Sequence, residues 1–471
     1  MAPPGSDPVP ALIAKHGLAK PRDLRGGGLM IKRSHVSDLM KSMDTESGSE
    51  VLLRGWVLHL RELAKTSFVI LKDCTGNVQC VGAPSVTRSI GLKLDDAIEI
   101  RGKIRKEPRS QQGFEVDILE LRILNPASHD LPFHSSSDIG EVGQDVLLEY
   151  RPLSLRNPRG EDIFKLQAKI VEGFRAHLRG RHFTEIITSK IVASGTEGGT
   201  NLFELKYFDQ VAYLAQSPQF YKEHGVAGLE RVFETGHVYR AEPHASSRHL
   251  TEYYSLDLEL GFIDGVEDVI QVERELLSDL FESINRESGD VLQRFGRPAL
   301  PSLLRIPMWE FPECLDRLKQ AYGRTDLIDD LDPEAERQLC ALAQAECGVP
   351  AVFVVGFPMS GRPFYTHPRG SSMPAGSSGT LAAASFDLLF FGLEITTGGQ
   401  RLHRRQDLET ALRGRGIDPA SFESHLRMFE LGMPPHGGLA IGLERLTAQI
   451  LGLANIRETC LYPRDRYRIS P

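Results

Sequence analysis

Two polar residues at the end of a strand-like stretch have the spacing of a phosphate-binding site. Arg240 and Glu242 close residues 233–242, and strand side chains two positions apart point to the same face. The guanidinium of Arg240 can hold a phosphate through two parallel hydrogen bonds. The carboxylate of Glu242 can orient an amine or hold a metal ion. A cross-strand ion pair explains the same spacing, so the spacing alone leaves both interpretations open.

A glycine-rich stretch near the C-terminus could bring the backbone close to a ligand. Residues 437–446 read Gly-Gly-Leu-Ala-Ile-Gly-Leu-Glu-Arg-Leu, and glycine permits such close approach. Gly442 is placed to begin a helix that carries Glu444 and Arg445. An ordinary strand-to-helix turn explains this stretch equally well. Because the sequence has no GxGxxG or GxxxxGK[ST] loop, neither a Rossmann nor a P-loop nucleotide site is indicated.

Together, the two stretches resemble motifs 2 and 3 of the class II aminoacyl-tRNA synthetases. Residues 216–222 (Gln-Ser-Pro-Gln-Phe-Tyr-Lys) and 392–401 (Gly-Leu-Glu-Ile-Thr-Thr-Gly-Gly-Gln-Arg) resemble the aspartyl-tRNA synthetases of the archaeal and eukaryotic type. The resemblance extends from about residue 31 to residue 471. It implies an ATP- and Mg²⁺-dependent ligase that activates L-aspartate and transfers it to tRNA(Asp), with tRNA(Asn) left open as a second acceptor. It also implies a homodimer.

The resemblance assigns roles to individual residues. Glu197 would lie in a mobile loop that closes on the amino-acid amine. Lys222 and Arg401 would hold the side-chain carboxylate of aspartate. Two cations that face one carboxylate discriminate against the neutral side-chain amide of asparagine, which cannot balance their charge. Arg240 and Arg445 would be catalytic, with Arg240 on the α-phosphate and the reacting carboxylate. The other residues implied for aspartate binding are Gln219, Phe220, Tyr221 and Thr397.

The same motifs imply a nucleotide site and a metal site. Glu394 and Thr397 would be the Mg²⁺ ligands, because oxygen donors suit a hard cation. Two positions depart from the family pattern: Ser189 stands where motif 1 usually ends in proline, and His367 stands where methionine is usual. The residues implied for ATP binding are Arg240, Ala241, Glu242, Arg248, His249, Leu250, Glu394, Gly442, Leu443, Glu444 and Arg445.

The first part of the chain has the pattern of a small barrel. About five short strands with glycine-containing turns fit into residues 50–123, which favours a closed barrel such as the five-stranded OB-fold, whose face binds oligonucleotides. The apolar alternation in the last strand slips by one position, which predicts a β-bulge near residues 118 and 119. A core position would explain Phe68 as well as base stacking does. By the resemblance, the anticodon contacts are Phe68, Gln79, Glu115 and Arg109.

The later part of the chain mixes helical and strand-like patterns. Helical periodicity covers residues 163–178 and 266–287, and a strand-like run covers residues 386–395. The predicted fold class is therefore α+β, with an OB-fold barrel followed by an antiparallel sheet flanked by helices. The predicted segments are a flexible tail (1–29), an OB-fold anticodon-binding domain (30–125), a linker (126–146) and a class II catalytic domain (147–471).

Composition limits the alternatives. The 471 residues carry 55 basic and 63 acidic side chains, which gives a net charge of −8. This charge argues against a protein that coats nucleic acid through an overall basic surface. Six cysteines without a CxxC pair predict a reducing, cytoplasmic compartment, and no apolar run approaches the ~18 residues of a membrane helix. The alternatives left open are an asparaginyl-tRNA synthetase, a paralogue that makes aspartyl-adenylate for a non-tRNA acceptor, and an RNA-binding regulator with an inactive core.

Overall fold

The chain divides after Ser136 into two compact units. None of the helices in the described residues is both long and apolar enough to cross a membrane. The proposed tail, residues 1–29, and the proposed loop residue Glu197 lie outside the described residues. A computed structural model describes residues 32–42, 48–110, 112–128, 130–195, 202–243, 246–370 and 381–470.

The first unit is a closed five-stranded barrel with the strand order β1-β2-β3-β5-β4, as predicted. Its bulge is also confirmed: Arg101 pairs with Glu120 but Gly102 pairs with Ile118, so Leu119 has no partner and is exposed. The elements are α1 (Val36–Ser42), β1 (Glu50–Glu62), β2 (Ser67–Lys72), β3 (Asn77–Gly82), α2 (Pro84–Arg88), β4 (Ala97–Lys106) and β5 (Phe114–Asn125).

The second unit is built on an eight-stranded mixed sheet. Its central pairs are antiparallel, as predicted, whereas the outermost pair at each edge is parallel. The strands, in the order in which they lie side by side, are β12 (Met308–Glu310), β13 (Ala351–Val355), β14 (Ser385–Phe390), β15 (Leu393–Gln400), β16 (His436–Gly442), β11 (Glu252–Gly261), β10 (Arg231–Tyr239) and β6 (Thr184–Glu185). A separate small sheet contains β7 (Ile191–Val192), β9 (Gln210–Leu214) and β8 (Glu204–Tyr207).

The single strand predicted over residues 386–395 is wrong, because the chain reverses within it. Phe391 and Gly392 have φ angles of 48° and 85°, in the left-handed region, and connect β14 to β15 as a hairpin. The apolar run is continuous because both strands lie in the buried centre of the sheet, so hydrophobicity alone did not reveal the turn.

Helices lie on both faces of this sheet, with α8 and α9 packed against β13 and β14 on the face opposite to α5, α7 and α12. Apolar residues of α5, α7 and α12 form one core with inward-facing residues of the central strands, such as Leu256 and Leu258 of β11. The alternate residues Ser255, Asp257 and Glu259 therefore point to the opposite face. The helices are α3 (Gln144–Glu149), α4 (Arg151–Ser154), α5 (Pro158–Gly180), α6 (Gln219–Leu229), α7 (Val266–Arg294), α8 (Phe311–Tyr322), α9 (Pro333–Cys347), α10 (Arg405–Gly414), α11 (Glu423–Leu426) and α12 (Leu443–Leu451).

Candidate active site

A cavity of about 250 Å³ opens on the polar face of the large sheet. It lies where β10 ends and β11 begins, beside β15, β16 and the start of α12. Tyr253, Ser255 and Ala440 contribute to its wall. The structure brings together here most of the residues implied for ATP and the metal: Arg240, Glu242, Arg248, His249, Leu250, Glu394, Thr397, Gly442, Glu444 and Arg445.

Arg240 directs a positive charge into this cavity. It follows the last residue of β10, and its backbone N–H donates to the carbonyl of Thr251 at 2.9 Å, which fixes the chain position. Its guanidinium lies 5.8 Å from the centre of the Tyr253 ring and 4.0 Å from a carboxylate oxygen of Glu242. With 41% of its side chain exposed, Arg240 remains accessible to an anionic ligand.

Three oxygen ligands lie close together here: Glu394 and Thr397, which line the cavity, and Asp387, which lines a neighbouring one. Glu394 Oε1 is 3.2 Å from Thr397 Oγ1 and 3.3 Å from an Arg445 guanidinium nitrogen. Asp387 pairs with Thr397 across β14 and β15 and forms two hydrogen bonds with Arg362, at 2.8 and 3.0 Å. Burial, followed by the charge of Glu394, raises the pKa of Asp387. Two carboxylates and a hydroxyl so close together fit a Mg²⁺ ion that also binds substrate phosphates.

A carboxylate that the sequence did not reveal supports these oxygen ligands. Glu336 of α9 accepts a hydrogen bond from Arg248 and another, at 3.1 Å, from the backbone N–H of Glu394. Burial raises the pKa of Glu336, and the charge of Glu394 raises it further. The contact joins residues 58 positions apart, and in the sequence Glu336 resembles the other acidic residues of an amphipathic helix.

Three residues implied for ATP binding are placed or bonded so that their side chains are not free for a ligand in the 250 Å³ cavity. The Leu443 side chain packs in the hydrophobic core, as expected for the first residue of a helix that rests on the sheet. Ala241 does not line the 250 Å³ cavity and instead lines a neighbouring one beside residues 464–469. Glu444 lines the cavity, but both of its carboxylate oxygens accept from Tyr254 N–H at 3.1 Å, and burial raises its pKa to about 7.

Helix α6 separates the residues implied for aspartate binding. Gln219 and Lys222 share its buried face, whereas Phe220 stacks on His425 with ring centres 4.0 Å apart and packs with the apolar residues around it. Tyr221 is exposed. Successive helix residues point about 100° apart, so four consecutive residues cannot all face one pocket. Gln219 and Lys222 therefore lie on one face of α6, while the side chains of Phe220 and Tyr221 point elsewhere, and the aspartate role of these two residues stays a prediction.

Lys222 and Arg401 are both buried and already paired with carboxylates. Lys222 Nζ lies 2.9 Å from Asp257 and 3.5 Å from Glu259, and Arg401 Nε donates to Glu259 at 3.0 Å. Neither acid is adjacent to these cations in the sequence. Because an unpaired buried charge is strongly destabilising, the protein itself supplies partners for both. The two cations implied for the aspartate side chain therefore also have protein carboxylates as partners.

Gly438 makes this arrangement possible. It pairs with Glu259 across β11 and β16, and its carbonyl accepts from Arg401 at 3.1 Å. A Cβ atom added at Gly438 would lie 2.2 Å from Glu259 Oε2 and 2.1 Å from the carbonyl oxygen of Leu258. Any side chain here would displace the carboxylate that joins the two cations.

In the barrel unit, three of the four implied anticodon residues share the outer face. Phe68 is half-buried on β2 and does not belong to the barrel core, so the core explanation for it is wrong. Gln79 Nε2 donates to Glu115 Oε1 between β3 and β5, and Arg105 pairs with the other oxygen of Glu115 at 2.6 Å. Arg109 lies in the turn between β4 and β5, 3.0 Å from Glu107, with 90% of its side chain exposed.

Two family profiles match the chain. Residues 143–466 match the class II tRNA synthetases of the D, K and N group, and residues 51–124 match the OB-fold nucleic acid binding domain. The chain is 42% identical over 438 residues to the aspartate–tRNA(Asp/Asn) ligase of Deinococcus radiodurans, covering 92% of this chain and 98% of the relative. It is 36% identical to the aspartate–tRNA(Asp) ligase of Pyrobaculum aerophilum, covering 90% and 96%.

A solved structure with a similar fold is the asparaginyl-tRNA synthetase from Pyrococcus horikoshii complexed with asparaginyl-adenylate. The TM-score is 0.84 at 28% identity, and the alignment covers 94% of this chain and all of that one. This chain therefore belongs to the class II tRNA synthetases of the D, K and N group. Enzymes of this class use ATP with a divalent metal. Since this fold also serves an asparaginyl enzyme, the choice of amino acid must be argued from the pocket.

Proposed function

We propose that the protein is an aspartate–tRNA ligase that charges both tRNA(Asp) and tRNA(Asn). The observation that carries the proposal is the similarity, over nearly the whole chain, to ligases named for aspartate and for both tRNAs. The lysine and arginine in the pocket support aspartate over asparagine. The barrel argues against a paralogue with a non-tRNA acceptor, and the assembled nucleotide cavity argues against an inactive core.

In this proposal the first step forms aspartyl-adenylate. An oxygen of the aspartate α-carboxylate attacks the α-phosphorus of ATP in line, and the bond to the β-phosphate oxygen breaks to release pyrophosphate. Arg240 holds the carboxylate and the α-phosphate together, and Arg445 offsets charge on the phosphates. A Mg²⁺ ion held by Glu394 and Thr397, with Asp387 beside them, would neutralise phosphate charge as the bond breaks. No protein group needs to remove a proton.

The second step transfers the aspartyl group to tRNA. The terminal ribose 3′-hydroxyl attacks the adenylate carbonyl carbon, and AMP leaves. In the proposal, Phe68 stacks on an anticodon base, while Gln79 and Glu115 offer hydrogen bonds to base edges. The Asp and Asn anticodons differ only in their third base, so contacts to the bases that they share cannot distinguish the two tRNAs.

Charging of separate tRNA(Asp) and tRNA(Asn) transcripts tests the proposal. We expect aspartate-dependent pyrophosphate exchange and stable aspartylation of both transcripts, with no exchange above background with asparagine. Charging of tRNA(Asp) alone would limit the function to a discriminating ligase. Exchange with asparagine equal to that with aspartate would refute the choice of amino acid.

We also propose a homodimer. The sequence predicts that the apolar helix of residues 163–178 and the motif 1 strand after it bury against a second copy, but Ile170 and Phe174 of that helix pack in the core of their own chain. Ile187 of the motif 1 segment has 95% of its surface exposed, and with the exposed Ile191 and Phe208 near the small sheet it provides an apolar surface for the second copy. Light scattering should give a dimer for the parent, and Ile187→Asp should shift it toward a monomer of 52.3 kDa.

A further inference from the structure

The buried cluster behind the nucleotide cavity contains one more acid than base. Its cations are Lys222 and Arg401, and its acids are Asp257, Glu259 and Glu223, all buried. Asp257 and Glu259 pair with the cations. Among the described residues, no ion pair joins Glu223 to either cation. Because an unpaired buried charge is costly, Glu223 is the acid that must carry a proton in the resting protein.

The contacts of Glu223 fit a neutral carboxyl group. Gln219 Nε2 donates to one oxygen at 2.8 Å, and the other oxygen lies 3.4 Å from His425 Nε2. Burial lowers the pKa of His425 to about 3, so this imidazole is neutral and does not balance an ionised Glu223. Burial, followed by the charge of Glu259, raises the pKa of Glu223 to about 8.

Gln219 connects this carboxyl group to the paired cations. Its Nε2 contacts Glu223 and, at 3.3 Å, Glu259, while its Oε1 lies 3.4 Å from an Arg401 nitrogen. Ionisation of Glu223 would therefore add a negative charge one side chain away from Arg401. The titratable and charged groups that face Glu223 or the cluster are Lys222 from α6, Asp257 and Glu259 from β11, Arg401 after β15, His425 from α11 and His436 from β16.

We propose that Glu223 is a specificity-determining residue whose proton is required for binding of the aspartate side chain. This inference rests on the proposed function. An aspartate side chain adds one negative charge to the cluster, which tolerates that charge while Glu223 is neutral. When Glu223 is ionised, aspartate must bind together with one proton taken from solvent. Asparagine adds no charge, so its binding does not require that proton.

Two imidazoles lie between Glu223 and the exposed side of α6. His425 Nε2 lies 3.4 Å from Glu223, with no hydrogen bond between them, and His425 Nδ1 lies 2.9 Å from His224 Nε2. His224 is half-buried on the side of α6 that also carries the exposed Tyr221.

The test is the pH profile of KM for aspartate in pyrophosphate exchange, compared with that of kcat. In the parent, KM should rise roughly 10-fold between pH 7 and pH 9, because only the fraction with protonated Glu223 binds. Glu223→Gln, which keeps the shape without the titration, should lose most of this rise. The matched control is Glu273→Gln, since burial also raises the pKa of Glu273 to about 8 but on α7, outside the cluster. This control should keep the rise.

A measurement on the parent alone makes the test independent of the variants. Calorimetry of aspartate binding at pH 8.5, in buffers of different ionisation enthalpy, should show uptake of a large fraction of one proton. A flat parent profile, a rise that persists in Glu223→Gln, or binding without proton uptake would overturn the inference. These outcomes leave the proposed function intact, because exchange with aspartate would still occur. Absence of any such exchange would instead refute the proposed function.

Discussion

In the nucleotide cavity the cations are partly exposed, with 41% of the Arg240 side chain and 26% of the Arg445 side chain accessible. In the proposed amino-acid site, Lys222 and its partner Glu259 are 1% and 0% exposed. The arginines of the first region are accessible to an anionic ligand such as the polyphosphate of ATP. The charges of the second region are balanced within the protein. In the proposed function, affinity for the nucleotide and choice of the amino acid would thus depend on differently constructed sites.

The largest expected effect comes from Glu394 in the nucleotide cavity. Glu394→Ala removes an oxygen donor for the metal and a partner of Arg445, so adenylate formation should fall by about 10³–10⁵-fold, as for other charge-neutralising groups in phosphoryl transfer. Binding of tRNA, measured by filter retention, should persist. Glu334→Ala, at an exposed glutamate of α9 paired with Arg337, is the control. Undiminished exchange at saturating Mg²⁺ would contradict the ligand assignment.

Replacing an arginine in each region compares the two sites directly. Arg401→Leu should reduce aspartate activation by on the order of 10²–10⁴-fold. Because it also leaves Glu259 buried without its guanidinium partner, it should cost about 3–5 kcal/mol of unfolding free energy. Arg240→Leu should also reduce activation strongly, yet with little loss of stability, since Arg240 is partly exposed.

Denaturant unfolding and pyrophosphate exchange on both variants measure this difference. An Arg401→Leu protein as stable as the parent would mean that the buried pair is not needed for the fold. An Arg240→Leu protein as destabilised as Arg401→Leu would remove the distinction between the two regions.

A smaller effect is expected in the barrel unit. Phe68→Ala should weaken charging of tRNA(Asp) and tRNA(Asn) by about 10–100-fold through loss of base stacking, and pyrophosphate exchange should be unchanged. Leu119→Ala, at the exposed bulge of β5, serves as the control and should charge normally. Loss of exchange in Phe68→Ala would show that Phe68 has a structural role instead.

The last expected effect is a pH-dependent change in stability. In the folded protein the pKa of Glu223 is raised to about 8, well above its usual value near 4.3 in an unfolded chain. Between these two pH values the folded state binds more protons than the unfolded state. The contribution of Glu223 to the free energy of unfolding therefore falls as the pH rises from the lower value to the higher one. Glu223→Gln should have a higher Tm than the parent at pH 9, and the difference should shrink at pH 6. A constant difference would contradict this titration.

The features that the sequence predicted correctly depend on local order. The phase slip in β5 located the bulge at Leu119, and the helical periodicity of residues 163–178 lies within α5. Gly442 and Arg445 fall in one continuous stretch, and the structure brings them to one cavity with Arg240. These signals require only that apolar and polar residues alternate along a strand or that apolar residues recur with the period of a helix.

The features that the sequence did not reveal depend on contacts between distant segments. Glu259 meets Arg401 across 142 positions, and Glu336 meets Arg248 across 88. The identity of each partner follows from how β11, β16 and α9 lie beside one another, and no local pattern encodes that. The different orientations of Phe220 and Lys222 are hidden for a related reason, since a motif read as consecutive residues ignores the rotation of a helix.

The shared use of Glu259 by two cations limits how this protein can acquire a different amino-acid preference. A single substitution at Lys222, Glu259 or Arg401 leaves a buried charge without its partner, and Gly438 offers no space in which a new side chain could compensate. Stepwise change at these positions therefore passes through poorly folding intermediates. Simultaneous replacement of an acid and a base avoids that barrier, so libraries that vary these positions in pairs should yield folded variants with altered selectivity where one-at-a-time libraries fail.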